Sequence, residues 1–211
     1  SLILKMICST MFVSIGVLSI HISDNTSTYA IIMIIGLIFG WIGDYFLHAK
    51  PSDAYFVTGF LTFLIGHFFY IGAYVRTLPK LFPEYEMISA VEIAVEILFI
   101  ALGLVALKVF KVKLNPIILK IGIYFYFAIV TFMFIKASAL GYNYYKSGAP
   151  YGIVAFVLLS LGSLFFVLSD ATLGIISFGG QKKNYRLKIF NILTYFWGQA
   201  MLASSILFIE A

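Results

Sequence analysis

Seven long apolar runs, separated by short polar connectors, dominate the hydropathy pattern of this chain. They cover residues 2–20, 29–47, 55–75, 88–109, 116–137, 151–177 and 188–209. A helix crosses the hydrocarbon of a bilayer with about 20 apolar residues, and each run has roughly that length. The runs are continuously apolar and lack the alternation of a membrane-spanning strand. The pattern therefore predicts an all-α, polytopic transmembrane bundle of seven helices, with residues 1–211 forming a single domain.

The composition excludes a soluble domain of this length. Hydrophobic residues make up 62% of the chain and charged residues 11%, and the mean hydropathy is +1.04. A chain of 211 residues has too little interior to bury that much apolar surface. The single cysteine, Cys8, rules out an intramolecular disulfide and a paired-cysteine metal site. We therefore predict an integral, multi-pass membrane protein, in either a bacterial inner membrane or the endoplasmic reticulum.

Basic residues are distributed unevenly between the two ends of the predicted helices. The net charge is +5, and the loops after the second, fourth and sixth runs hold eight lysines and arginines against four at the other end. The eight are Lys50, Lys108, Lys111, Lys113, Lys182, Lys183, Arg186 and Lys188, and the four are Arg76, Lys80, Lys136 and Lys146. Because cytoplasmic loops are enriched in Lys and Arg, the richer end, called the basic face below, is predicted to be cytoplasmic. Anionic lipid headgroups explain this charge better than nucleic acid, so no nucleic-acid partner is expected.

Two aspartates, Asp44 and Asp170, lie within apolar runs. A carboxylate in hydrocarbon is costly to insert, and such residues usually face the interior of a bundle and take part in chemistry or transport. A carboxyl group held away from water favours its neutral form, which can act as a general acid. Helical rise places Asp44 roughly 5 Å and Asp170 roughly 10 Å from the basic face, so we expect Asp170 to be the more desolvated. Snorkelling to the interface is the alternative for Asp44.

Polar side chains of two other predicted helices reach the same half of the bilayer. His67 and Tyr70 share a stripe of the third run, and Tyr195 and Gln199 lie one turn apart in the seventh. Their common depth predicts one polar chamber that both aspartates share and that opens to the basic face. Hydrogen bonding between packed helices is the alternative explanation of His67, Tyr195 and Gln199.

The sequence lacks the usual motifs of metal and nucleophile sites. It has three histidines, none of them in an HxxxH or HExxH pair, and it has no GxSxG elbow. We therefore expect neither a metal nor a cofactor. Glu92 and Glu96 lie one turn apart near the end opposite the basic face, where a partly solvated helix edge explains them more simply than a site.

Three segments resemble the lysoplasmalogenase, or YhhN-like, family of membrane proteins. They are GDYFLHAKPSDAYFVTGFLTFLIGHFFYIGAYV, GSLFFVLSDATLGIISF and TYFWGQAMLASS, and they keep the order of the family's motifs. The residues at the motif positions are Asp44, Phe56, Gly59, His67, Tyr70, Ser169, Asp170, Tyr195 and Gln199. The family usually has eight helices, and the opening SLILKMICS resembles its second helix, so a preceding helix is expected.

The resemblance implies hydrolysis of the vinyl ether bond of lysoplasmalogens to a fatty aldehyde and glycerophosphoethanolamine or glycerophosphocholine. Our hypothesis makes Asp44 and Asp170 the acid–base pair of this reaction, with Asp170 favoured as the general acid because it is deeper and Asp44 as the base that activates water. Which of the two is the acid is left open by the sequence. Substrate binding or orientation is assigned to His67, Tyr70, Ser169, Tyr195 and Gln199. The expected partners are the lysophospholipid and the bilayer, and the oligomeric state stays open.

Two other functions fit the same residues. A proton-coupled transporter would use the aspartates to bind and release protons. A lipid-binding protein would use the chamber without turnover. Aldehyde release from lysoplasmalogen distinguishes the enzyme from both, because the other two leave the lipid unchanged.

Overall fold

The computed structural model describes residues 2–112, 114 and 116–209, and most of them lie in seven α-helices. In chain order the helices are α1 (Leu2–Ser23), α2 (Thr28–Ala49), α3 (Asp53–Leu81), α4 (Ala90–Val109), α5 (Ile117–Lys146), α6 (Gly152–Phe178) and α7 (Tyr185–Ser204). A 3₁₀ turn, Ser205–Leu207, follows α7, and no strand occurs among the described residues. The all-α prediction is confirmed. Lys113, which the sequence assigns to the basic face, lies outside the described residues.

Six of these helices, α1 to α6, are long and apolar enough to cross a membrane, which confirms the multi-pass prediction. The seventh predicted span does not meet the same standard, because α7 begins with Arg186 and Lys188 and is less apolar along its length. It nevertheless packs along α6 and against α1. Its buried polar residues, among them Gln199, therefore lie inside the bundle.

Two helices continue well past their predicted ends. The hydropathy pattern ends the third and fifth runs at 75 and 137, whereas α3 reaches Leu81 and α5 reaches Lys146. Lys136 is part of α5 and is only 1% exposed, because its ammonium group pairs with Glu92 of α4 at 3.0 Å. Lys136 thus contacts the start of α4, at the end opposite the basic face, and its charge is paired inside the protein.

Glycines of α2 allow the helices that carry polar residues to approach closely. A Cβ atom added to Gly36 would lie 2.5 Å from Cε1 of Tyr70, and one added to Gly40 would lie 2.6 Å from Nε2 of Gln199. Small residues serve this purpose at helix interfaces in membranes. The backbone of α2 is thus the surface against which α3 and α7 hold Tyr70 and Gln199.

The fourth helix, α4, lies at the edge of the bundle. None of its residues is buried, and its main neighbour is α5. A capping box fixes its start, in which Ser89 and Glu92 each accept a hydrogen bond from the other's backbone. Glu92 also accepts a hydrogen bond from Tyr85 in addition to its ion pair with Lys136. One end of α4 is therefore anchored by polar contacts, while the other half borders a cavity.

Candidate active site

A cavity of about 380 Å³ lies between α3, α4, α5 and α6. Its wall comes from the parts of these helices nearest the basic face, from Phe56 on α3 to Phe178 on α6. Aromatic and aliphatic side chains form most of the wall. Asp170 is the one charged residue among the described residues that line it. The cavity is therefore apolar with a single carboxyl group, in the half of the bilayer where the sequence predicts a chamber.

The carboxyl group of Asp170 is held by side chains from two other helices. Its Oδ2 atom accepts a hydrogen bond from the hydroxyl of Tyr126 at 2.7 Å and lies 3.3 Å from Nε2 of His67. The Tyr126 oxygen is also 3.0 Å from that ring nitrogen. All the described contacts of this carboxyl group go to Oδ2, and the side chain lines the cavity. We call these three residues the Asp170 cluster.

The imidazole of His67 is oriented from both sides. Its Nε2 atom lies within hydrogen-bonding distance of two oxygens, from Tyr126 and Asp170. The ring also packs edge-on against Phe166, with centroids 4.8 Å apart. Its Nδ1 atom is buried and has no hydrogen-bond partner among the described residues. A buried polar atom without a partner costs free energy, and this nitrogen does not gain one from the cavity, because His67 is not among the residues that line it.

The second aspartate, Asp44, belongs to a separate polar cluster. One oxygen, Oδ1, lies 3.2 Å from the Lys5 ammonium. The other, Oδ2, accepts hydrogen bonds from Ser9 at 2.5 Å and Tyr195 at 2.8 Å. The Tyr195 oxygen in turn accepts a long hydrogen bond of 3.4 Å from Gln199. These residues, called the Asp44 cluster below, saturate the carboxylate with donors, one of them a cation.

The two aspartates do not share one chamber, and this part of the prediction is wrong. Asp170 lines the cavity, whereas Asp44 is absent from the residues that line it. The order of burial is also reversed, since the Asp44 side chain is 1% exposed and the Asp170 side chain 10%. The reason is helix rotation. The face of α2 that carries Asp44 is turned toward α1 and α7, whose side chains bind its carboxylate, while Asp170 faces the gap beside α4.

Packing, not hydrogen bonding, connects the two clusters. The ring of Phe166 lies 4.8 Å from that of His67 and 5.5 Å from that of Tyr195. Tyr70 also contacts Phe166 and donates a hydrogen bond of 2.8 Å to Gln199. Tyr70 and Gln199 thus join α3 to α7 between the two clusters.

Comparison with known proteins places the chain in a family. The family model described as the YhhN family matches residues 1–206. The chain belongs to the YhhN family. This is the family of lysoplasmalogenases, and the match confirms the resemblance carried by the three motif segments. Searches of curated proteins and of solved structures found no match.

The remaining motif residues of this YhhN-family protein, Ser169, Phe56 and Gly59, contact neighbouring helices or line the cavity. Ser169 exchanges hydrogen bonds with Asn191 of α7, so it joins α6 to α7 and does not contact the Asp170 carboxyl group. Phe56 lines the cavity and packs on Phe178, with centroids 5.9 Å apart. A Cβ atom on Gly59 would lie 2.9 Å from the side chain of Leu47, so this glycine lets α2 and α3 meet. No group of three His, Cys, Asp or Glu able to hold a metal ion occurs in the part of the chain that the structure describes.

The sequence pattern did not identify four residues of this YhhN-family site, Tyr126, Phe166, Lys5 and Ser9. Tyr126 lies in the aromatic run IYFYF, where nothing distinguishes it from its neighbours, and Phe166 lies in a similar run. The positions of Lys5 and Ser9 could have identified them as partners of Asp44. They are one turn apart near the basic-face end of the first helix, which is close to the depth of Asp44.

Proposed function

We propose that this protein is a lysoplasmalogenase, which hydrolyses the vinyl ether bond of a lysoplasmalogen to a fatty aldehyde and a glycerophospho-alcohol. The observation that carries the proposal is the single carboxyl group of Asp170 in an otherwise apolar cavity. Its Oδ2 atom is held by Tyr126 and His67. Membership of the YhhN family supports the same reaction.

The cavity fits a lipid with one chain. Ligand pockets usually measure about 300–1,000 Å³, and a volume of about 380 Å³ is near the lower limit. The wall of Phe, Leu and Ile side chains gives the vinyl ether at Asp170 apolar surroundings, in which the lipid needs no hydrogen bonds. The basic residues beyond the ends of α2 and α6, Lys50, Lys182 and Lys183, are suited to the phosphate of the headgroup.

Cleavage of a vinyl ether begins with transfer of a proton to the β-carbon. The neutral carboxyl group of Asp170 supplies this proton, and the ether oxygen and the adjacent carbon then share the positive charge of an oxocarbenium ion. The carboxylate left behind is adjacent to that charge and stabilises it, while the Tyr126 hydroxyl continues to donate to Oδ2. No covalent bond to the protein is needed.

Water completes the reaction and restores the acid. A water molecule adds to the cationic carbon and gives up a proton to the Asp170 carboxylate, which thereby returns to its neutral form. The hemiacetal then breaks its carbon–oxygen bond, releasing the aldehyde and the free hydroxyl of the glycerophospho-alcohol. One water is consumed, and the protein ends in its starting state.

The part played by Asp44 differs in this scheme from the one expected on sequence grounds. Its carboxylate already binds Lys5, Ser9 and Tyr195, and it does not line the cavity. This geometry favours a positioning role, in which Asp44 holds Tyr195 against Phe166. The role of water-activating base stays a prediction.

The test is aldehyde release from lysoplasmalogen by the purified protein in detergent, followed by mass spectrometry. Asp170→Asn keeps the shape of the side chain but cannot donate a proton to carbon, and loss of a general acid–base group lowers rates about 10²–10⁴-fold. Asp53→Asn is the matched control, because Asp53 is exposed at the start of α3 on the basic face. If Asp170→Asn releases aldehyde at the rate of the control, the acid is misassigned. If the wild type leaves the lipid unchanged, the transport or lipid-binding functions replace the proposal.

A further inference from the structure

The cavity has open space on one side of α6, one helical turn from the proposed acid. Asp170 and Gly174 are four residues apart on α6, so they share a face, and both line the cavity. A Cβ atom added to Gly174 would meet no other atom within 4 Å. The space that a side chain at this position would fill is therefore part of the cavity.

Neither packing nor backbone conformation accounts for the glycine at this position. The other glycine in the lining, Gly103, is required by packing, because a Cβ atom there would lie 2.6 Å from Cε1 of Phe127. Gly174 has no such neighbour, and its backbone is ordinary α-helix. Two other helical glycines, Gly72 and Gly122, also have nothing within 4 Å of an added Cβ atom, but neither lines the cavity.

The position of Gly174 relates it to one part of a lysolipid. From Asp170 the helix rises roughly 6 Å toward the basic face before it reaches Gly174. With the vinyl ether at Asp170 and the phosphate at the basic face, the glycerol carbons lie between the two. They are therefore level with the open space beside Gly174.

We infer that Gly174 is a specificity-determining residue, whose missing side chain leaves room for the glycerol of a lysophospholipid beside the reacting ether. This inference rests on the proposed function, because it takes Asp170 as the reacting group. It assigns the space to glycerol and not to the alkenyl chain. A side chain at position 174 would then exclude glycerol-bearing lipids but leave access for a vinyl ether that has no glycerol.

The experiment measures the turnover of two substrates by variants at two glycine positions, Gly174 and Gly122. The substrates are a lysoplasmalogen and an alkenyl methyl ether of the same chain length, which carries the vinyl ether without glycerol or phosphate. The variants are Gly174→Ala, Gly174→Val and Gly174→Leu. Gly122→Leu is the matched control, because Gly122 is a helical glycine of α5 that also has nothing within 4 Å of an added Cβ but does not line the cavity.

The expected result is a graded and selective loss. Gly174→Leu lowers kcat/KM for lysoplasmalogen by roughly 10- to 200-fold, the range that one misfitting group causes in an apolar pocket. Gly174→Ala lowers it less, and turnover of the methyl ether stays near the wild-type rate in every variant. Gly122→Leu changes neither substrate. Equal kcat/KM of wild type and Gly174→Leu for lysoplasmalogen, or equal loss of both substrates, overturns the inference.

A binding measurement separates this inference from the proposed function. Lysophosphatidylcholine has the same glycerol and phosphate, and its binding, followed by native mass spectrometry, requires no turnover. Gly174→Leu weakens this binding by the same roughly 10-fold or more, whereas Gly122→Leu does not. If the wild type binds lysophosphatidylcholine but releases no aldehyde from lysoplasmalogen, the proposed function fails while the Gly174 result still decides the inference. Thermal denaturation identifies folded variants, and Gly174→Ala serves if the leucine variant does not fold.

Discussion

The ion pair between Lys5 and Asp44 provides the most direct test of how this bundle holds its charges. Asp44→Asn removes the charge but keeps an oxygen that can accept from Ser9 and Tyr195. At 3.2 Å and an effective dielectric constant of about 20, the lost attraction is worth about 5 kcal/mol. Breaking a buried pair by removing one partner typically costs about 3–5 kcal/mol. The two estimates agree, because the Lys5 side chain is only 13% exposed and water replaces little of the interaction.

The assay is thermal denaturation of the purified protein in detergent. For a chain of this size, 1 kcal/mol corresponds to about 2–4 °C, so Asp44→Asn is expected to lower the apparent Tm by roughly 10 °C. Lys5→Met should produce a similar loss, because it leaves the Asp44 carboxylate without its cation. The double variant removes both charges and should recover most of the lost stability. Asp53→Asn, on the exposed start of α3, is the control and should shift the Tm little.

This cycle also separates the two possible roles of Asp44. If Asp44 positions Tyr195, the folded double variant keeps aldehyde release within roughly 10-fold of the wild type. A double variant that is stable but loses activity by the factor of about 10²–10⁴ expected of an acid–base group would make Asp44 the water-activating base. Equal Tm values for the wild type and Asp44→Asn would refute the reasoning from the ion pair.

Two further variants test neighbouring parts of the structure. Tyr126→Phe removes the hydroxyl that donates to Asp170 and should slow aldehyde release at least about 10-fold. Tyr124→Phe, in the same helix and the same cavity wall, is the control and should not slow it. Equal rates for the two variants would exclude Tyr126 from the site. Lys136→Met leaves Glu92 without its cation and should lower the Tm by roughly 10 °C. It should also make the connection before α4 accessible to protease. Lys146→Met, at an exposed position, is the control and should change neither the Tm nor the protease cleavage. Resistance of the Lys136 variant to protease would show that α4 is held by other contacts.

The helices themselves could be predicted because a bilayer leaves the chain few choices. Every backbone polar group in hydrocarbon must be satisfied within the segment, so each long apolar run becomes a helix. The ends of α3 and α5 could not be predicted, because these helices extend past the apolar runs. Lys136 illustrates the reason. Its charge indicates a membrane surface, but its partner is Glu92, and no local pattern links residues 44 positions apart.

The depth of the polar residues was predictable, and their partners were not. A fixed rise per residue places His67 and Asp170 in one half of the bilayer, and the structure brings them to 3.3 Å. The same reasoning places Asp44 in that half, yet it faces a different set of helices. Depth follows from counting along a helix, whereas rotation about the helix axis depends on packing between helices. Tyr126 is the clearest example of a partner that the sequence does not reveal, since it binds Asp170 but lies in a run of similar aromatic residues.

The buried carboxyl groups of the bundle differ in how their charge is balanced. Among the described residues, Asp44 and Glu92 each pair with a lysine and accept further hydrogen bonds, so both are balanced without any ligand. Asp170 has no lysine or arginine partner in that part of the chain. Its contacts are a histidine and a tyrosine hydroxyl on one oxygen, which suit a group that alternates between neutral and charged forms. A carboxylate with a permanent cationic partner would hold its charge too firmly to donate a proton to carbon. Glu96 also lacks a lysine or arginine partner among the described residues and accepts a hydrogen bond from Thr131, but it does not line the cavity. The absence of a lysine or arginine beside Asp170, together with its place in the cavity wall, is therefore what a general acid requires.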